Sequence, residues 1–377
     1  MRIAIEAQRI FRPNKHGMDF VALETVRQLQ RLDIENEYFV FVAPGEDRCL
    51  SSSANVEVVE VRCPSYPLWE QTALPMAVRR VKPDLLHCTA NTAPLVPVAP
   101  LVLTLHDIIF LEKRAGNNPS LYQNLGWHYR RAVVPRVLPR CERIVTVSDY
   151  ERGRIREALG LPEEKVVTVH NGYGSRFRPV SRYREVARKY VPEDEYLFFL
   201  GNTDPKKNTP RVLTAYARYL ERSARKLPLL VADLDGEQLD RLLEAEGIEA
   251  IRPHLRCPGY IPNGDLPSVY SGAFAFLYPS LRESFGIPML EAMACGTPVV
   301  ASRTSAMPEV AGEGALLVDP ENADEIAERL LRLESDDALY REQREYGLER
   351  VKGFSWEKSA RRLLEIYREV AAGHGKH

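Results

Sequence analysis

No apolar run in this 377-residue chain approaches the ~20 residues that a membrane-crossing helix needs. Net charge is almost absent: 51 Lys and Arg stand against 52 Asp and Glu. That balance gives no global case for nucleic acid as a partner. The six cysteines, Cys49, Cys63, Cys88, Cys141, Cys257 and Cys295, include no C-x-x-C pair. Zinc ribbons and disulfide frameworks are therefore not indicated, and reduced core thiols are expected. No G-x-G-x-x-G follows a strand and no G-x-x-x-x-G-K-[ST] occurs, so neither a dinucleotide fingerprint nor a P-loop is present. No Asp-x-Asp stands in a metal-binding context, and no metal site is expected. Internal repeats and low-complexity tracts are missing too. The opening MRIAIEAQRI reads as a strand, not a secretory leader, which places the protein in the cytoplasm.

What is present is regular alternation. The length suits two domains. Apolar strand-type runs at 2–7, 38–42, 56–61, 85–88, 101–105, 143–148 and 166–170 fill the first half. A polar loop, 8–19, contains Gly17, and Phe20, Leu23, Val26 and Leu29 then recur at helical spacing over 20–32. Strands at 196–200, 229–232, 273–278, 299–302 and 316–318 alternate with helical segments in the second half. This is the α/β pattern of parallel sheets covered by helices on both faces.

The densest stretch is 277–309, LYPSLRESFGIPMLEAMACGTPVVASRTSAMPE. An apolar strand runs into a polar loop with Glu283, then Ser284, Phe285, Gly286 and Ile287. Pro288 suits the first turn of a helix, where its missing N–H costs nothing. Gly296 and Pro298 stop that helix, and a second strand follows. Glu283 in the loop and Glu291 in the first turn flank a helix N-terminus. Such an end has unpaired N–H groups and partial positive charge, and can hold phosphate. Carboxylates beside it accept hydrogen bonds from hydroxyls. A nucleotide diphosphate sugar carries both kinds of group.

Two glutamates seven residues apart around Phe-Gly-Ile-Pro, followed by Glu-Ala-Met-Ala-Cys-Gly-Thr-Pro-Val, resemble the retaining glycosyltransferases of family 4. The resemblance implies the GT-B fold: two Rossmann-like domains whose parallel sheets face across a cleft. It places an acceptor-side domain at 1–178, a donor domain at 179–355, and a terminal helix at 356–377 returning to the first domain. Carried over by motif, Glu283 contacts the donor sugar and Glu291 the nucleotide ribose. Ser284, Phe285, Gly286 and Ile287 lie at the donor phosphates. His106, ending the run Val102-Leu103-Thr104-Leu105-His106-Asp107, faces the sugar, and Gly17 approaches the phosphates. In Gly201-Asn202-Thr203-Asp204-Pro205-Lys206-Lys207-Asn208, Lys207 matches the family's diphosphate lysine. Asn202 stands where an arginine is usual, with Lys206 as a compensating charge. His16-Gly17-Met18-Asp19 likewise departs from the usual Gly-x-Gly-Arg. Tyr260 and Ile261 match the base pocket, without deciding between guanine and uracil. Glu309 matches a recurrent acid of structural role.

The implied reaction is metal-independent transfer of a hexose, with retention of configuration, to a glycan or lipid-linked acceptor. No cofactor is involved beyond the donor itself. GDP-mannose is favoured as donor over UDP-hexose because LHDIIF and DPKKN resemble transferases of bacterial polysaccharide pathways. Catalysis falls to His106, Glu283 and Lys207, while His87 and Asn91 line the acceptor side. The arginine-rich, apolar segment 127–143 suits a peripheral contact with an anionic inner leaflet, although Pro135 and Pro139 interrupt a regular helix there. The competing readings are an epimerase or phosphorylase on the same fold, or a catalytically silent sugar-nucleotide-binding subunit.

Overall fold

A computed structural model describes residues 1–112 and 121–374 of the protein. The chain forms two compact units, Met1–Gly172 with Trp356–His377, and Tyr173–Ser355. The sequence places the first crossing at 178/179; the chain passes over at Gly172/Tyr173.

The first unit holds a seven-stranded sheet in the order β3-β2-β1-β4-β5-β6-β7, every pairing parallel. Its strands are β1 (Arg2–Glu6), β2 (Glu37–Val42), β3 (Val56–Glu60), β4 (Leu85–Cys88), β5 (Leu101–Thr104), β6 (Cys141–Thr146) and β7 (Val166–Thr168). β1 is buried on both faces. Ile3 and Ile5 enter one core and Ala4 the other, which is why the strand reads as an unbroken apolar run. The first helix, Gly17–Leu32, begins at Gly17 and not at residue 20. The cause is Asp19: its Oδ2 accepts the His16 N–H at 2.9 Å and closes the first turn early.

The helix Trp356–His374 packs on the helix Gly17–Leu32 and adds Ala360, Leu363, Ile366 and Tyr367 to the core around Ile3 and Ile5. This docking corrects the reading of His87. Its Nδ1 meets the Tyr367 hydroxyl at 2.6 Å and its Nε2 the Thr104 hydroxyl at 2.7 Å. Both nitrogens are occupied, and burial drives the imidazole pKa down to about 3, so the ring is neutral and structural. Tyr367→Phe removes one partner of a buried nitrogen. It should cost about 1–2 kcal/mol in urea unfolding.

The basic segment also differs from expectation. The helix Leu121–Val137 runs straight through Pro135. Val133, Val134 and Val137 on that helix are buried in the core beside Leu103 and Ile144, and this burial outweighs the proline's lost bond. Arg131 reaches the Phe110 carbonyl at 3.3 Å, and Arg140 donates to the Leu95 carbonyl. The segment's buried valines therefore serve the protein's own core. No helix among the described residues is long and apolar enough to cross a membrane.

The second unit holds six parallel strands in the order β10-β9-β8-β11-β12-β13. These are β8 (Tyr196–Leu200), β9 (Leu229–Ala232), β10 (Leu255–Gly259), β11 (Ala273–Tyr278), β12 (Val299–Ser302) and β13 (Leu316–Val318). On one face Leu197, Phe199, Leu229, Val231 and Leu277 pack against Val212, Leu213 and Tyr216 of the helix Thr209–Arg222. On the other, the rings of Phe198 and Phe276 sit edge-on to Tyr270 at 5.2 and 5.1 Å. Strand order reverses between β8 and β11. Ligands of open α/β sheets bind at such a reversal, outside the carboxyl ends of the strands.

Candidate active site

Two loops leave the carboxyl ends of β8 and β11 and are tied together. Leu281 N–H donates to the Lys206 carbonyl at 2.8 Å. Asn208, in a left-handed conformation (φ 61°), donates its side-chain amide to the carbonyls of Pro279 at 3.0 Å and Pro320 at 2.6 Å. Within the first loop, Asn202 Oδ1 accepts Asp204 N–H at 2.9 Å, and Asp204 Oδ1 accepts Lys206 N–H at 3.1 Å. The Asn202 side chain is thus a turn-former. Lys206 turns out to Asp204 at 3.5 Å, both of them exposed.

Lys207 turns inward. Its Nζ lies 2.8 Å from Glu283 Oε1, with only 17% and 15% of the two side chains exposed. It also lies 3.4 Å from the Tyr278 hydroxyl and 5.0 Å from that ring's centre. Burial and the Glu283 carboxylate hold the Tyr278 phenol well above its ordinary pKa, so it remains protonated. Glu283 is fixed from behind: its N–H donates to Ser305 Oγ at 3.1 Å.

The helix Ile287–Ala294 starts beside this pair. Gly286 caps it at φ 97°, a conformation that suits glycine, and a Cβ there would stand 3.1 Å from Met307 Sδ. Gly286→Ala should therefore cost about 1–2 kcal/mol, read as a lower midpoint in thermal unfolding, and should weaken donor binding. Among the described residues no acceptor meets the N–H of Gly286 or Ile287. The Phe285 ring is buried against Phe354 at 5.7 Å, so its side chain is core. Glu291, partly exposed, lies near the Tyr270 hydroxyl. Burial raises its carboxyl to about 7, with Arg176 and Tyr270 pulling the other way. Further along the edge, Tyr260 is 69% exposed while Ile261 is buried.

The first unit carries its own polar group at the carboxyl edge. His106 N–H donates to Asn91 Oδ1 at 2.7 Å, and Asn91 itself is left-handed (φ 66°) and buried. The His106 Nε2 sits 2.9 Å from the Thr89 carbonyl, which makes it the protonated nitrogen and leaves Nδ1 as an acceptor. Burial lowers its pKa and keeps the ring neutral. Asn91 is thereby committed to the His106 loop. Gly17 has open space around its Cα, but the turn it opens is already closed by the Asp19 carboxylate. Glu6, ending β1, accepts the N–H of Gln8 at 2.9 Å and of Thr89 at 3.2 Å, and burial raises it to about 7.

Tyr278, Tyr270 and Arg176 escaped the sequence reading. Tyr278 is the last residue of an apolar strand and looks like core; its position at the carboxyl end of that strand is the one signal that sets it apart. Glu309 is held through its carbonyl, which accepts from Arg350 at 2.5 Å.

Family comparisons cover both units. The model for Glycosyltransferase Family 4 matches residues 16–174, and that for Glycosyl transferases group 1 matches 184–350. The O-antigen chain mannosyltransferase B of Escherichia coli is 31% identical over 270 residues, which are 71% of this chain and 70% of that protein. The chain belongs to the group 1, family 4 glycosyltransferases. As a glycosyltransferase of this family it also matches the serotype-specific mannosyltransferase WbdA of Escherichia coli, 28% identical over 81% of the chain. That match covers 40% of WbdA, so the chain spans less than half of the longer relative. Among solved structures, sucrose-phosphate synthase from Thermosynechococcus elongatus superposes with a TM-score of 0.76 at 20% identity, over 99% of each chain. This likeness is one of fold: the GT-B glycosyltransferase architecture, with one parallel sheet in each unit.

Proposed function

We propose that this glycosyltransferase moves mannose from GDP-mannose to a glycan or lipid-linked acceptor in bacterial polysaccharide assembly, with retention of configuration. The observation that carries the reading is the half-buried Lys207–Glu283 pair at the β8/β11 reversal, next to the start of the helix Ile287–Ala294. The relatives named as mannosyltransferases support the choice of sugar.

In this reading the ribose hydroxyls donate to Glu291 and a sugar hydroxyl donates to Glu283. The diphosphate lies between the Lys207 ammonium and the amides of Gly286 and Ile287. The bond from sugar C1 to the β-phosphate oxygen breaks, and the acceptor oxygen bonds to C1 on the same face. The acceptor proton passes to the departing phosphate oxygen. Lys207 and the amides stabilise charge that grows as the bond breaks, which is where a fixed cation accelerates most. No divalent ion enters the scheme, so activity is expected to survive EDTA.

The test is incubation with GDP-mannose or UDP-glucose and a mannose-terminated acceptor, with the product anomer read by NMR. An α-mannosyl product from GDP-mannose alone is the expected outcome. Release of an epimerised nucleotide sugar without acceptor, or no turnover of any bound donor, would contradict it.

A further inference from the structure

Beyond the residues already placed, the carboxyl edge of the second unit presents one more carboxylate, Asp233, directly after β9. Its backbone is left-handed (φ 61°), uncommon for a residue with a side chain, and such strain clusters at binding sites. Its N–H donates to the Gly259 carbonyl at 2.9 Å, which fixes the ends of β9 and β10 to each other. Tyr260, next in the chain, lies exposed beside that junction. Among the described residues nothing donates a hydrogen bond to the Asp233 carboxylate. Lys207, whose field reaches it, is committed to Glu283. Asp235 plays a different part: its carboxylate caps the helix Gly236–Glu246 through Gln238 N–H at 2.8 Å, with Leu234 buried between. Asp233 and Asp235 therefore do not act as a pair. The buried Tyr270 phenol feels the charges of both Glu291 and Asp233.

We infer that Asp233, with Tyr260 beside it, selects guanine as the base of the donor. The inference rests on the donor-site reading given above. A carboxylate has acceptors only. Guanine presents two neighbouring donors, N1–H and the N2 amino group, one for each carboxylate oxygen. Uracil presents a single N3–H between two carbonyl oxygens, which a carboxylate repels. A site built to hydrogen-bond one partner rejects an analogue that leaves its polar groups unpaired. The exposed Tyr260 ring gives either base a surface to stack on, so stacking contributes affinity and Asp233 the choice.

Calorimetric titration of GDP, IDP and UDP into the wild type and Asp233→Asn tests this. Asparagine tolerates the left-handed backbone, and its amide both donates and accepts. The wild type should bind GDP at least about tenfold tighter than UDP, with IDP between them because it lacks the amino group. Asp233→Asn should weaken GDP about ten- to a hundredfold while leaving UDP equal or tighter, which also reports an intact fold. An equal change for all three nucleotides, or GDP unaffected by the substitution, would overturn the base assignment and leave the donor site standing. Failure of the wild type to bind any of the three would overturn the donor site and the base assignment together.

Discussion

Lys207→Ala is expected to lower kcat by about a hundred- to a thousandfold, the loss typical when one preorganised charge is withdrawn from a developing anion. KM for the donor should rise far less, because the glutamates and amides still bind sugar and phosphate. The physical basis is the setting of the ammonium. It is mostly shielded from solvent, fixed by Glu283 and the Tyr278 hydroxyl, and needs no reorganisation when charge appears on the diphosphate. Lys207→Arg should recover only part of the loss, since a planar guanidinium does not replace a compact ammonium between a carboxylate and an aromatic face. Unfolding midpoints close to wild type would show that the effect is on chemistry. A variant with near-normal turnover would remove Lys207 from the reaction.

Glu291→Gln should raise the donor KM about ten- to a hundredfold, as expected for losing charged hydrogen bonds to the ribose hydroxyls. It should also change the pH dependence, and the sign follows from burial. In the free protein the Glu291 carboxyl titrates near 7, above its ordinary 4.5, because its charged form is poorly solvated. Hydroxyls donate to the ionised form, so donor affinity should increase as pH rises through 7 and level off above it. The glutamine variant should show a flat profile. Stability runs the other way. A carboxyl whose folded pKa is raised contributes stability that is complete below pH 4.5 and is lost as pH rises through about 7. The melting temperature of Glu291→Gln relative to wild type should accordingly climb from pH 4.5 to about 7 and hold level up to pH 8.5. Thermal scans across that range, beside KM at the same pH values, measure both effects on one pair of proteins.

Much of the fold was legible because parallel strands buried on both faces leave unbroken apolar runs, and Gly286, Gly296 and Pro298 punctuate the stretch between β11 and β12. The loop-to-helix segment with Glu283 and Glu291 could be read from local order alone. What could not be read depends on distance along the chain. Lys207 and Glu283 are separated by 76 positions, and only the β8/β11 reversal makes them partners. His87 looked like an acceptor-side residue because its strand ends at the carboxyl edge. Its actual partner, Tyr367, lies 280 positions away on the terminal helix. Pro135 looked like a helix breaker because propensity acts locally, whereas the burial of Val133, Val134 and Val137 is tertiary. Asp233 was silent for a similar reason. In the run LLVADLDG it passes for one of two loop acids, until the fold assigns Asp235 to a helix cap and leaves Asp233 at the edge.

The most direct test is a crystal structure with GDP-mannose bound. The diphosphate oxygens should lie within hydrogen-bond distance of Lys207 Nζ and of the amides opening the helix Ile287–Ala294, with the ribose hydroxyls on Glu291 and the mannose at Glu283. Electron density for the nucleotide at any place that leaves residues 207, 283 and 291 untouched would contradict the account.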